Sequence, residues 1–134
     1  MSTPTYLPAL GRLLIALIFV LSGLSKIAAP ANTIAYIQSA GAPFAPAAFG
    51  IAAVVEVIGG LALLVGFQTR LVAAILATFT LAAAVLFHNN LADQNQMIHF
   101  MKNLAITGGL LQVIAFGAGA FSIDNRRKSA SVPA

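Results

Sequence analysis

The sequence predicts an all-α membrane protein, an antiparallel four-helix transmembrane bundle with a short interfacial helix on its outer side. Three observations carry that prediction. First, 60% of the 134 residues are hydrophobic and only 7% are charged, far from the usage of soluble domains. A chain this short leaves much of its surface uncovered on folding, so the apolar excess has to meet lipid. Second, four apolar runs, at about residues 9–29, 47–66, 71–88 and 99–120, are long enough to cross a hydrocarbon core of about 30 Å. Third, these runs do not alternate as barrel strands do, and helices then remain as the structure that satisfies every backbone polar group in lipid.

The first run carries Arg12 near its start and Lys26 near its end. A single arginine, an apolar core and IAAPA also fit a cleavable signal peptide. Lys26 just before the cut, and three further spans, weigh against that alternative. Residues 30–46 form a connector. Asn32 as a cap, Ile34, Ile37 and Ala40 on one face, and Gly41 as a stop predict a short helix there. An irregular loop is the alternative. Tyr36 suits the headgroup level, while Pro43 and Pro46 suit the entry to the second span.

The second run contains GIAAVVEVIGGLALLVG, residues 50–66, with Glu56 near its middle. A tight polar turn at residues 67–70 joins it to the third run as an antiparallel hairpin. Ala73, Ala77 and Ala84, with Gly59 and Gly66 opposite, supply the small surfaces that let membrane helices approach closely. Residues 88–98 read as a polar loop. The fourth run includes Gly108, Gly109, Gly117 and Gly119, and its mid-span Gln112 reads as interhelical hydrogen-bonding glue. The membrane domain thus covers residues 1–124, and 125–134 form a basic tail within a hydrophilic segment expected to be disordered.

Charge placement sets the expected orientation. Arg12, Arg70, Arg126, Arg127 and Lys128 fall on the side of the termini, and Lys26 and Lys102 on the other. The positive-inside rule then puts both termini in the cytoplasm. Arg12 and Arg70 read as ordinary headgroup anchors. Basic residues do not interleave with aromatics, so nucleic acid is not an expected partner. With no cysteine, disulfides, thiol catalysis, Cys-ligated clusters and covalent haem attachment are excluded. No close-spaced ligand set suggests a metal. His88 and His99 lie too near one surface to suggest a bis-histidine haem.

Glu56 is the residue that needs an explanation, because a carboxylate deep in hydrocarbon costs about 2.5–3.5 kcal/mol on insertion scales. It lies about ten residues into its span, so about 14 Å below the outer end. Lys26, His88, Lys102 and Asn103 converge on that same side, with His99 one turn from the last two. Taken alone, each basic residue reads as snorkelling or interfacial rather than functional. Together they suit a quinone headgroup, with donors at its carbonyls and Glu56 as proton relay. A substrate passage is less well supported, since GGLALLVG below Glu56 offers no charge before Arg70. A third alternative is an assembly subunit in which Glu56 and a lysine only fix helix register.

GRLLIALIFVLSGLSK, EVIGGLALLVGFQTR, the FH that closes the third span, FMKNLAITGGLL and FSID, with SAGAPFAP before the second span, resemble the DoxX family. The resemblance covers residues 11–124 and implies a small four-helix inner-membrane protein. It also implies redox association. The family takes its name from subunits associated with thiosulfate:quinone oxidoreductase, and other members are linked to redox-stress complexes with soluble partners. Arg12, Lys26, Glu56, Arg70, His88, Lys102, Asn103 and Asp124 match the family's recurring polar positions. The partners this implies are the bilayer, a soluble or membrane redox protein and further copies of the chain. No cofactor is evident in the sequence beyond the quinone that the cluster would suit.

Overall fold

The computed structural model describes residues 4–131. Four helices long and apolar enough to cross a membrane, Leu7–Ala28, Ala45–Val65, Thr69–Phe87 and Gln94–Phe116, form an all-α bundle, and no strand occurs among the described residues. Each span packs on its sequence neighbour, most extensively the first on the second and the third on the fourth, and the fourth closes the ring against the first. A connector helix, Pro30–Ser39, lies against the start of the second span, and a tail helix, Ile123–Ala130, follows the fourth.

The first span shows how lipid inverts the usual amphipathic logic. Arg12, Ala16, Phe19 and Gly23 recur at helical spacing and are buried, whereas Leu14, Leu17, Leu21 and Leu24 form the exposed stripe. Large aliphatic side chains face the hydrocarbon, and small ones draw the helices together. The central cluster accordingly mixes Ala16, Ala73 and Ala77 with Phe19, Leu63, Leu76 and Leu110.

The second span is not a uniform α-helix. Val55–Gly59 is a π-helical turn with Glu56 inside it, a local widening frequent at functional sites. The first span fits against this turn through Gly23. A Cβ there would fall 2.6 Å from Val57 Cγ2 and 3.2 Å from the Val57 backbone nitrogen. Gly23→Ala is therefore expected to destabilise the bundle by about 1–3 kcal/mol, the usual penalty of overpacking. Thermal unfolding in detergent measures it.

Several boundaries differ from the sequence reading. The fourth span starts at Gln94 rather than residue 99, because Asp93 caps it by accepting the Gln96 N–H at 2.9 Å. It stops at Phe116, before Gly117 turns to φ 83°. The connector helix begins at Pro30, which places Asn32 inside its first turn and not at its cap. Gln112 is exposed and makes no side-chain hydrogen bond among the described residues, so it does not join helices within the chain.

The tail, expected to be disordered, is helical from Ile123 to Ala130; residues 132–134 lie outside the described residues. Ser122 Oγ accepts the Asn125 N–H at 3.1 Å, and Asp124 N–H donates to the Gly66 carbonyl at 2.9 Å. The first bond caps the tail helix, and the second ties it to the turn between the second and third spans.

Candidate functional site

Glu56 is 5% exposed. Its partner is Lys26, whose Nζ lies 2.8 Å from Oε2 and donates to Oε1 at 3.0 Å. Ser22, one turn before Lys26, completes the group by donating to Oε1 at 3.1 Å and accepting from Lys26 Nζ at 2.7 Å. Oε2 has the lysine charge beside it but no directed hydrogen bond among the described residues. Ser22 was not anticipated. Its signal was present, since Ser22 and Lys26 share a helix face.

This pair borders a half-open cavity of about 430 Å³ whose lining also includes His88, Lys102 and Asn103. All five sequence candidates therefore share one cavity. They do not all touch. Lys102 approaches His99 rather than Glu56, with Nζ 3.1 Å from His99 Nδ1. The His99 ring stacks on His88 at 5.0 Å, and His88 Nδ1 lies 3.3 Å from Gln96 Oε1. Burial pushes the His88 pKa below its usual 6.5; the Gln96 contact opposes this, and the charges of His99 and Lys102 add to the depression. His88 is thus a neutral imidazole at pH 7.

The remaining lining is mainly apolar and aromatic, with Phe19, Ile37, Ile51, Phe79, Leu86 and Ile106 as its main walls. Tyr36 of the connector helix stacks on Phe87 of the third span, ring centroids 5.5 Å apart, so the connector forms part of the wall. The arrangement can hold a flat amphipathic molecule, with its polar end at the charges and its body against hydrocarbon.

Arg12, read as a headgroup anchor, is at 1% exposure one of the most buried side chains. Its Nη1 donates to the Leu63 carbonyl at 2.9 Å and the Leu64 carbonyl at 2.8 Å, and its Nη2 donates to Phe121. Carbonyls at a helix C-terminus lack intrahelical partners, and a cation there also meets the negative end of the dipole. Arg70 fits the anchor reading better, being exposed and only weakly bound to the Ala115 carbonyl at 3.4 Å. Arg126, Arg127 and Lys128 are exposed on the tail helix.

At the same end, Asp124 accepts the Gln68 and Thr69 N–H groups at 2.8 Å each, capping the third span. Burial alone would raise its pKa. The neighbouring Thr69 hydroxyl, the two backbone donors and the Lys128 charge outweigh it and hold the carboxyl below the usual carboxylate range.

Four spans around a charged pair that borders an apolar cavity define the class: a small integral membrane protein. The DoxX family profile matches residues 7–89, and the chain belongs to that family. It is 43% identical over 115 residues to "Inner membrane protein YqjF" of Escherichia coli K12, covering 84% of this chain and 85% of the relative. It is 35% identical over 122 residues to "Inner membrane protein YphA" of the same strain, covering 87% of each. No solved structure gives a significant match. Fold and relatives together make the chain an integral inner-membrane protein.

Proposed function

We propose that the chain is a redox-associated membrane subunit whose cavity binds a quinone-like headgroup, with both termini cytoplasmic and the cavity on the outer side. One observation carries this reading: a buried Lys–Glu pair borders a mainly apolar cavity of about 430 Å³. A buried pair serving only the fold favours full hydrogen bonding and dry surroundings. A quinone instead needs cationic or amide donors at its carbonyls, an exchangeable proton nearby and an apolar slot for its ring. Lys26, Lys102 and Asn103 are the donors, Glu56 the proton-exchanging group, and Phe19, Ile51 and Phe79 the slot. Reduction of a quinone takes two electrons and two protons. With no cysteine in the chain, the electrons come from a partner protein, soluble or membrane-bound.

Short-chain quinones are expected to raise the melting temperature of the purified protein in detergent, and Glu56→Gln to abolish most of that rise. If wild type gains no stability at saturating quinone, the ligand reading fails and a scaffold role for the pair takes its place.

A further inference from the structure

A second groove lies at the opposite end of the bundle, where the turn between the second and third spans meets the tail helix. It measures about 650 Å³, and its lining includes Arg70, Arg127 and Lys128 against a single acid, Asp124. That acid is already engaged, one oxygen with the Gln68 N–H and the other with the Thr69 N–H. It also forms no ion pair with these cations, since Lys26–Glu56 is the one salt bridge among the described residues. None of the three cations is therefore within ion-pair distance of an acid among the described residues. Arg127 lies 5.8 Å above the Phe67 ring.

The groove is not purely polar. Leu71 and Phe116 line it as well, 60% and 80% exposed, each at the membrane end of a span. Free phosphate would leave both unused. A phospholipid uses both parts, phosphate against the cations and acyl chain along the exposed side chains.

We infer that this groove binds the phosphate headgroup of an anionic phospholipid, with Arg70 and Lys128 as its ligands and Leu71 and Phe116 along the chain. The site is separate from the ion-pair cavity, and its test is independent of any quinone.

Native mass spectrometry of the protein, released from micelles doped with equal phosphatidylglycerol and phosphatidylethanolamine, reads it directly. Wild type should retain phosphatidylglycerol preferentially. The Arg70→Gln/Lys128→Gln variant should bind it about 30-fold more weakly, at roughly 1 kcal/mol for each cation near an anionic surface. Arg126→Gln removes a tail charge outside the groove lining and should retain the lipid as wild type does. A circular-dichroism melt confirms that the double variant is folded, and Lys128→Gln alone serves if it is not. Equal retention of both lipids, or an equal loss in Arg126→Gln, overturns the site. Displacement of phosphatidylglycerol by millimolar inorganic phosphate moves the ligand to a free anion and overturns the lipid assignment.

Discussion

Replacing Arg12 with leucine is expected to lower the stability of the bundle by about 2–5 kcal/mol, because it removes hydrogen bonds from a charged donor and leaves buried carbonyls unpaired. The guanidinium donates to carbonyls of two separate segments, the end of the second span at Leu63 and Leu64 and the tail entry at Phe121. Leucine supplies apolar volume but leaves the Leu64 and Phe121 carbonyls without their donor, each a penalty of about 1–3 kcal/mol when buried, while the Leu63 carbonyl keeps the Gly66 N–H at 3.2 Å. The space around the guanidinium admits nothing bulkier, for a Cβ on Gly66 would meet Nη1 at 2.6 Å, and Gly66 itself sits at φ 70°. Arg12→Lys should recover only part of the loss. A lysine carries the charge, but its ammonium cannot reproduce a planar fork that reaches three carbonyls. Thermal unfolding in a single detergent, with tail proteolysis as a second readout, checks both variants. A wild-type melting temperature and an uncut tail in Arg12→Leu would show that the network contributes nothing.

The same end of the molecule explains a pairing that chain order hides. The turn after the second span is held from both directions, by Arg12 at a helix C-terminus and by Asp124 at the N-terminus of the third span. Each charge has the sign that its dipole favours. FSID, noticed in the sequence only as part of a family resemblance, is the segment that supplies the Phe121 carbonyl, the Ser122 cap and the Asp124 carboxylate.

How much of this was legible in the sequence depended on whether lipid or a neighbouring helix set the outcome. Lipid fixes the length and composition of a span, so four helices follow from hydropathy alone. Glu56 stood out because charge is scarce in apolar runs, and depth along a single helix was enough to place Lys26 on its side of the bilayer. Arg12 misled for the same reason. Its position along the first span is that of a headgroup anchor, but its burial is decided by carbonyls 51 and 52 residues away. The π turn leaves no compositional trace, since VEVIG is equally suited to a regular helix; its visible correlate is Gly23 in another span. Hydrophilicity suggested a disordered tail, although Ser122 stands three residues before Asn125, at capping distance. Gln112 was read from depth as helix glue, yet which face it occupies is set by how the fourth span is rotated.

The pair formed by Lys26 and Glu56 is expected to respond asymmetrically when its members are removed one at a time. Lys26 is 29% exposed at its side chain and Glu56 only 7%. Glu56→Leu leaves a lysine near the end of its span, which can extend towards the headgroups. The expected loss is about 1 kcal/mol. Lys26→Met strands a carboxylate in the interior of the second span, with Ser22 as its remaining donor, and should cost about 3 kcal/mol. The double variant removes both charges, keeps similar volume and should return close to wild-type stability. A coupling energy of about 4 kcal/mol in the resulting cycle would measure how strongly the two side chains act as a unit. Near-additive losses would show that they do not. The double variant is also the sharpest instrument for function, because it separates folding from binding. A purely structural pair predicts that a stable Lys26→Met/Glu56→Leu protein behaves as wild type in every respect. A ligand-binding pair predicts a well-folded protein that quinones no longer stabilise, since its cavity has lost both the donor and the proton-exchanging group.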